Sequence, residues 1–332
     1  MVKISVIIPV YNAQNNIERC VQSIAEQSLR DIEILLINDG STDDSQTLCD
    51  RLASKDGRIR MFSIENSGPA TARNLGIDNA KGEYLAFCDD DDYIEPGTLK
   101  FMYENIKDND VLCCGLIFDY EGEQQRVVLP DCDSLNADSL QSLKNRNLLD
   151  TMCNKLYKAE FIKQNGIRLP DGELYEDTAF NQQLFLCSPK TVFYKKAFYH
   201  YMQKRTASIT RRYNQNKLAL MKVRANDLLA LEQKLGGRGH FSAMYYLRTL
   251  LSCFTDCFIK QSGLCFTDVK AIIKQEKAAL QWKNAVKAAK PLSKSELIMK
   301  FIAKQPAGIV TAFCYACYIF KYKTRKLFFA LR

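Results

Sequence analysis

The feature that most constrains the fold is an alternation of short apolar runs and amphipathic stretches over the first 90 residues. Four β-rich apolar runs are bounded by polar turn residues, at residues 4–10, 32–37, 59–64 and 84–88. Such runs are typical of strands buried in a parallel sheet. Between the first two, apolar side chains recur at helical spacing from Ile17 to Leu29. The alternation predicts a right-handed, doubly wound, mostly parallel α/β sheet.

The second half of the sequence changes character. Two further strand-like segments, residues 110–120 and 191–201, flank a polar stretch, so we expect the sheet to continue with a mixed half to about residue 213. Beyond it, Leu, Ala, Lys and Glu dominate and strand signals fade. We therefore predict an α/β domain over residues 1–213 and a helical basic region over residues 214–332.

The net charge of +8 comes from one end of the chain. Residues 283–332 carry eleven Lys or Arg and one acidic residue, a net +10, so the rest of the chain is slightly acidic at −2. This distribution argues against a nucleic-acid partner. Two histidines are too few for zinc peptidase motifs. The thirteen cysteines show no ligand-like spacing beyond one Cys-x-x-Cys pair, so we expect buried thiols in a reducing cytosol.

Polar residues follow each strand at the edge where ligands bind in open α/β sheets. The sharpest case is the run of four aspartates, Asp89 to Asp92, after the fourth strand. In an extended chain alternate residues share a face, which would direct Asp89 and Asp91 into one site. Carboxylates of this kind suit Mg²⁺ or Mn²⁺ bound together with a substrate phosphate. A solvated turn or a helix cap is the alternative.

Four motifs in order along the chain resemble the blocks of family-two glycosyltransferases with the glycosyltransferase-A fold, as found in enzymes of bacterial capsule, exopolysaccharide and lipopolysaccharide synthesis. They are SVIIPVYN at residues 5–12, NDGSTD at 38–43, GPATARN at 68–74 and FCDDDDY at 87–93. The match covers roughly residues 4–213. It implies that residues 1–213 form a glycosyltransferase catalytic domain.

The resemblance also implies site roles. Donor nucleotide contacts are expected from Pro9, Tyr11, Asn12, Asp39, Arg73, Asp89, Asp90 and Arg205. Metal ligands are expected from Asp91 and Asp89, with Asp91 the stronger candidate. The ion would stabilise negative charge on the departing diphosphate. Three alternatives stay open: Asp39 as a turn residue, Arg73 as a surface helix charge and Arg205 as part of a solvated loop.

A second pair of blocks, NKL at residues 154–156 and the Glu176-Asp177 pair, resembles the acceptor side of the same family. The resemblance makes Asp177 the general base that removes the acceptor hydroxyl proton, with Glu176 orienting the site. An acidic pair favoured by a helix N-terminus is the alternative. His200 stands where relatives often have tyrosine, and it could ligate the metal or simply pack.

The uncharged stretch from Gln305 to Phe320, followed by basic residues, is too short for a spanning helix and suits an interfacial one. We therefore expect peripheral attachment at the inner face of the plasma membrane, with packing on the catalytic domain as the alternative.

Together these features predict a metal-dependent inverting enzyme that moves a hexose or N-acetylhexosamine from a UDP-sugar to a polyprenyl-diphosphate-linked glycan. A non-catalytic sugar-nucleotide-binding or scaffolding subunit of a polysaccharide assembly complex is the alternative. A nucleotidyltransferase would need a glycine-rich loop after the first strand, which the sequence lacks.

Overall fold

The structure, a computed structural model, describes residues 1–120, 124–170, 175–203 and 214–324. The chain divides into two compact units, residues 1–207 and residues 208–332. The strands of the first unit are β1 Ile4–Val10, β2 Ile32–Asp39, β3 Ile59–Ile64, β4 Tyr84–Phe87, β5 Tyr93–Ile94, β6 Val111–Tyr120, β7 Gln124–Val128, β8 Lys155–Lys158 and β9 Thr191–Gln203. Its helices are α1 Ile17–Ala25, α2 Ser45–Lys55, α3 Pro69–Asn79, α4 Thr98–Ile106, α5 Ala137–Asn145, α6 Ala159–Gln164 and α7 Glu176–Leu186.

The nine strands of the described ranges form one sheet in the order β3-β2-β1-β4-β8-β6-β9-β5, with β7 paired to β6. The β3-β2-β1-β4 half is parallel, and β1 aligns Val10 with Asn38 of β2. The other half is mixed, because β8 pairs antiparallel with both β4 and β6 while β6 and β9 run parallel. The predicted fold class, a doubly wound sheet with a mixed second half and a helical C-terminal region, is confirmed.

The burial of β1 and β2 agrees with their inner positions in the sheet. Every residue of β1 and of β2 is buried, as expected for strands covered by helices on both faces. Helix α1 turns Ile17, Cys20, Val21 and Ile24 toward this sheet. The polar residues that follow β1, β2 and β4 are therefore brought to one edge of the parallel half, where the candidate site lies.

The second unit is helical. Its α-helices are α8 Lys217–Lys234, α9 His240–Asp256, α10 Phe266–Ala278, α11 Leu280–Ala288, α12 Lys294–Lys304 and α13 Ala307–Tyr318. They share a core in which Leu247, Leu250, Phe254 and Trp282 are almost completely buried. The division of the chain at residue 213 into a catalytic and a membrane-associating part stays a prediction.

Helix α13 carries much of the uncharged segment that suggested an interfacial helix. One of its faces is packed, because Val310 and Cys314 are fully buried in the core of the helical unit. None of the helices in the described ranges combines the length and the apolar character needed to cross a bilayer.

Candidate active site

The four aspartates after β4 form a tight turn. The Asp92 amide donates to the Asp89 carbonyl at 3.1 Å, which closes the chain over three residues. The expectation of an extended segment, with Asp89 and Asp91 on a shared face by alternation, is therefore wrong. The turn forms because β4 ends at Phe87 and β5 begins at Tyr93, leaving a short connection between the two strands.

Asp92 anchors this turn to β9. Its Oδ2 accepts from the Tyr199 hydroxyl at 2.6 Å and its Oδ1 from the Met202 amide at 2.8 Å. The same Tyr199 hydroxyl accepts from the Asp89 amide at 3.0 Å. Burial and the negative charge of Asp89 raise the pKa of Asp92 well above its usual range. Asp92 and Tyr199 thus fix the backbone from which the other three aspartates project.

Asp90 and Asp91 join the turn to the elements beside it. The Asp90 carboxylate accepts from the Tyr11 amide at 3.0 Å, which ties the turn to the end of β1. The backbone carbonyl of Asp91 accepts from Arg19 of α1 at 2.6 Å. Tyr11 is half-exposed, so its ring is accessible beside the acidic turn.

Arg73 lies at the centre of the site. It is 6% exposed, so its alternative as a surface helix charge is wrong. Its Nη2 lies 2.7 Å from Asp89 Oδ1, and its Nη1 lies 3.3 Å from Glu176 Oε1 and 3.5 Å from Asp177 Oδ1. One buried guanidinium therefore connects the acidic turn to the Glu176-Asp177 pair, which comes more than 80 residues later in the chain.

Asp177 has the protonation behaviour required of a base. Glu176 and Asp177 open α7, where the helix N-terminus favours acids. Burial, together with the charges of Asp89 and Glu176, raises the pKa of Asp177 to about 7 against the opposing effect of Arg73. Its Oδ1 is buried without a hydrogen-bond partner. A carboxyl group with a pKa near neutrality can exchange a proton with a substrate hydroxyl.

The NKL block holds a buried cation, Lys155, whose charge acts on Asp177. The Lys155 ammonium is fully buried and donates to the carbonyls of Leu148 and Thr151 and to Asn154 Oδ1. Burial lowers the pKa of Lys155. Its charge also lowers the pKa of Asp177. The block thus acts through packing and charge.

Asn181, one turn after the acidic pair, ties α7 to the segment before the NKL block. Its amide nitrogen donates to the carbonyls of Asp177 and Asp150 at 2.9 Å each. The side chain is 1% exposed, so both bonds are shielded from water. This contact fixes the start of α7 relative to β8.

The predicted nucleotide contacts are spread along the ends of β1 and β2. Asn12 Oδ1 accepts from the Thr42 amide at 2.8 Å. Asp39 is 4% exposed, and its two oxygens accept from the amides of Ser67 and Gly68 at 2.7 and 2.9 Å. Asp39 therefore holds the loop between β3 and α3 in place. Pro9 lies inside β1, opposite Ile37.

Arg205, with the rest of the RTASI segment at residues 205–209, lies outside the described residues. The donor-binding role predicted for it stays a prediction.

His200 packs on the sheet beside β5. Its ring stacks on Tyr93 with centroids 4.2 Å apart, its Nδ1 lies 2.7 Å from Asp119 Oδ2, and its Nε2 lies 3.5 Å from Glu95 Oε1. Both ring nitrogens thus face carboxylates. Of the two roles left open for His200, the structure shows packing.

The donor atoms in the acidic turn are carboxylate oxygens, the kind that Mg²⁺ and Mn²⁺ prefer. Within the described ranges, no group of three or more His, Cys, Asp or Glu side chains converges as a complete metal site. Mg²⁺ often takes only one or two carboxylates from a protein and its other ligands from phosphate and water, so the carboxylate oxygens of Asp89 and Asp91 are of a chemical type suited to such an ion.

Sequence reasoning missed Asp92, Tyr199 and Asn181 as site-shaping residues. Asp92 was visible only as the last member of the acidic run. The position of Tyr199 depends on β9 pairing with β5, which no local pattern records. Asn181 follows Asp177 by four residues, and that helical spacing is the one signal that could have indicated it.

The sequence is similar to those of known glycosyltransferases. The sequence profile described as Glycosyl transferase family 2 matches residues 5–166. Glycosyltransferase GlyA of Streptococcus pneumoniae is 35% identical over 213 residues, which cover 60% of this chain and 30% of GlyA. Glycosyltransferase GlyG of the same organism is 32% identical over 222 residues, covering 63% of this chain and 73% of GlyG. The matched stretch thus spans less than a third of one of these relatives.

A solved structure supports the fold over both units. The crystal structure of Staphylococcus aureus TarS 1–349 in complex with UDP-GlcNAc superposes with a TM-score of 0.63 at 21% identity, covering 93% of this chain and 89% of that one. The family resemblance predicted from the motifs is confirmed, and with it the predicted enzyme class, a glycosyltransferase. The chain belongs to glycosyl transferase family 2.

Proposed function

We propose that the protein is a metal-dependent, inverting glycosyltransferase that moves a hexose or N-acetylhexosamine from a UDP-sugar to a lipid-linked glycan in surface polysaccharide synthesis. The observation that carries this proposal is the contact of buried Arg73 with both Asp89 and the Glu176-Asp177 pair. The contact brings a candidate diphosphate-side carboxylate and a candidate base to one place. That juxtaposition is what a direct displacement requires.

The proposed reaction is a single displacement at the anomeric carbon. The carboxylate of Asp177 takes the proton of the acceptor hydroxyl while that oxygen bonds to the anomeric carbon. The bond from the anomeric carbon to the diphosphate oxygen breaks, and UDP leaves with the electron pair. Attack opposite the leaving group inverts the configuration, so an α-linked donor gives a β-linked product.

Arg73 sets the charge of the base and holds it in place. Its guanidinium opposes the rise in the pKa of Asp177, which keeps a useful fraction of the carboxylate ionised near neutral pH. Because Arg73 also contacts Asp89, a movement of the acidic turn on donor binding would shift Arg73 and so change the charge environment of Asp177. Glu176 shares Arg73 with Asp177 and orients the site.

Asp91 and Asp89 would hold a Mg²⁺ or Mn²⁺ ion, which when bound supplies positive charge opposite the departing diphosphate. Two observations support a UDP-sugar donor: the motifs at the strand ends and the likeness to TarS crystallised with UDP-GlcNAc. The half-exposed ring of Tyr11 beside the acidic turn is suited to stack on a base.

The experiment is a thermal-shift panel of nucleotide sugars with and without Mn²⁺, followed by transfer or donor hydrolysis with the donor that stabilises the protein. Selective stabilisation by one UDP-sugar in the presence of Mn²⁺ is expected. Asp91→Ala should remove the Mn²⁺-dependent stabilisation. Asp177→Asn should keep it and lose turnover by about 10²- to 10⁴-fold.

Three outcomes would reject the proposal. Full activity in both variants would exclude these residues from the reaction. Stabilisation that does not depend on Mn²⁺ would remove the metal. Donor binding without any turnover in the unmodified protein would favour a sugar-nucleotide-binding subunit.

The proposal includes attachment to an anionic membrane, for which α12 supplies supporting features. Its outward face exposes Leu297, Ile298 and Phe301 at 61%, 54% and 61%, between exposed lysines at 294 and 304. Glu296, the one acidic residue of segment 283–321, is buried. An apolar ridge flanked by basic residues, with no exposed acid among these described residues, complements an anionic leaflet.

Vesicle sedimentation tests this attachment. Leu297→Glu with Phe301→Glu should abolish binding to phosphatidylglycerol vesicles, whereas Val223→Glu, on an exposed apolar residue of α8, should leave it unchanged. Equal binding by all three proteins, or equal binding to phosphatidylcholine vesicles, would contradict it. Point variants are preferable to deleting residues 283–332, because Ala303, Val310 and Cys314 belong to the core of the helical unit.

A further inference from the structure

The ring of His200 belongs to a column of side chains that leads from β9 to the acidic turn. It stacks on the ring of Tyr93 with centroids 4.2 Å apart and an angle of 11° between the ring planes. The guanidinium of Arg19 lies over the same Tyr93 ring, 5.1 Å from its centroid. Arg19 in turn donates from Nη2 to the backbone carbonyl of Asp91 at 2.6 Å. The column therefore ends at Asp91, the stronger of the two metal-ligand candidates.

The β9 end of this column is buried and fixed by a carboxylate. His200 is 7% exposed and Asp119 is 8% exposed. The Nδ1 of His200 lies 2.7 Å from Asp119 Oδ2, and the Tyr93 hydroxyl donates to the same oxygen at 3.1 Å. Because both rings bond to one buried oxygen, their stacked arrangement has little freedom to change.

The α1 end of the column is the exposed one. Three residues at four-residue spacing, on α1 and just beyond its end, bond to the chain that follows the acidic turn. Ser23 Oγ accepts from the Ile94 amide at 3.3 Å, and Gln27 Nε2 donates to the Glu95 carbonyl at 2.8 Å. Arg19 is the first of the three, and its side chain is exposed. Holding a long exposed side chain in one rotamer costs conformational entropy, and the aromatic ring beneath the guanidinium offsets that cost.

Two consecutive residues of β9 thus reach the acidic turn by different routes. Tyr199 bonds directly to Asp92. His200 comes next in the strand, pairs with Tyr93 across the β5-β9 ladder and acts through that ring. The turn is therefore held at Asp92 from β9 and at the preceding residue from α1.

We propose that His200 is a positioning residue for metal binding: through Tyr93 and Arg19 it sets the backbone of Asp91 and so the direction of the Asp91 carboxylate. This inference rests on the proposed function, because it takes Asp91 as a ligand of Mg²⁺ or Mn²⁺. Residues that orient a metal ligand without touching the ion typically change metal affinity by about 10- to 100-fold when they are replaced.

The test measures UDP binding to the full chain by isothermal titration calorimetry at a series of Mn²⁺ concentrations. The quantity compared is the Mn²⁺ concentration that gives half of the maximal UDP affinity. His200→Asn keeps a nitrogen that can donate to Asp119 and removes the ring on Tyr93, so it should raise this concentration at least about tenfold. UDP affinity without Mn²⁺ should not change, because the column ends at the metal ligand.

Two further single variants complete the set. Arg19→Lys keeps the positive charge and removes the planar group that stacks on Tyr93, so it should raise the half-maximal Mn²⁺ concentration to a similar extent. Phe62→Leu is the matched control, because it removes a ring under another arginine, Arg60, whose guanidinium lies 5.3 Å from the ring centroid on β3. It should respond to Mn²⁺ like the unmodified protein.

The double variant decides whether the column acts as a unit. His200→Asn combined with Arg19→Lys should raise the half-maximal Mn²⁺ concentration no further than the stronger single variant does, because breaking one link already releases the Asp91 backbone. Effects that multiply would show two independent contributions and would overturn the proposal.

Other outcomes separate this inference from the proposed function. An equal Mn²⁺ response in all variants would overturn this inference alone, and so would a loss of UDP affinity by the same factor with and without Mn²⁺. UDP binding that does not respond to Mn²⁺ in the unmodified protein would reject the metal in the proposed function and this inference with it. Far-ultraviolet circular dichroism checks folding, and Arg19→Lys, at an exposed position, keeps the test decisive if His200→Asn does not fold.

Discussion

Replacing the candidate base should stabilise the fold at alkaline pH while it removes activity. In the folded protein the pKa of Asp177 is raised from an ordinary value of 3.8 to about 7. The folded state therefore binds this proton more tightly than the unfolded state does. Stability from this group is greatest at acid pH, falls as the pH rises above about 4, and is lost once the pH passes about 7. An asparagine at 177 has no such dependence.

The size of the effect follows from the pKa difference. Between pH 5 and pH 7 the unfolded carboxyl group is ionised while the folded one is mostly protonated. Over these two pH units its contribution to the free energy of unfolding falls by roughly 2.7 kcal/mol, at about 1.36 kcal/mol per unit. The side chain of Asp177 is 35% exposed, so solvent screens part of this energy. After that discount, the free energy of unfolding of Asp177→Asn should rise by about 1–1.5 kcal/mol relative to that of the unmodified protein as the pH goes from 5 to 8.

The assay is urea unfolding at pH 5 and pH 8, followed by far-ultraviolet circular dichroism. The single tryptophan, Trp282, lies in the helical unit, so its fluorescence follows that unit separately and should not change. Asp138→Asn is the matched control, because Asp138 is an exposed acid at the corresponding second position of α5. Two results would refute the reasoning: the same pH dependence of the free energy of unfolding in both variants, or a free energy of unfolding at pH 8 that is lower in Asp177→Asn than in the unmodified protein.

Four further predictions test the same cluster. The kcat/KM of the unmodified protein should rise about tenfold per pH unit up to about pH 7, because only ionised Asp177 accepts a proton, and a flat profile would contradict this. Lys155→Met should move that inflection to higher pH, since its charge lowers the pKa of Asp177; an unchanged inflection would exclude the coupling. Arg73→Met should lower the urea-measured free energy of unfolding by about 3–5 kcal/mol, because three carboxylates lose their shared cation. Tyr199→Phe should cost about 1–3 kcal/mol in the same assay through its two bonds in the acidic turn, and a neutral result would show that the turn does not need Asp92 anchored.

The parallel half of the sheet was predictable because its strands are continuous apolar runs whose burial leaves little choice of structure. The acidic turn was not, because whether residues 89–92 extend or close depends on where β5 pairs with β9. The role of Arg73 was missed for a similar reason. Its carboxylate partners lie 16 and more than 100 residues away in sequence, so the cluster exists only once α3 and α7 meet.

The two hydrogen bonds that Asp39 accepts from the amides of Ser67 and Gly68 complicate any mutational scan of this protein. An asparagine there offers one oxygen and turns an NH₂ group toward an N–H that needs an acceptor, so the entrance to α3 would be disturbed. Since α3 carries Arg73, such a variant would score as inactive whether or not position 39 ever touches a nucleotide. Loss of activity on substitution of Asp39 would therefore show first that the loop before α3 needs this carboxylate. A contact with the nucleotide would have to be shown by a distance measured in a complex with the nucleotide bound.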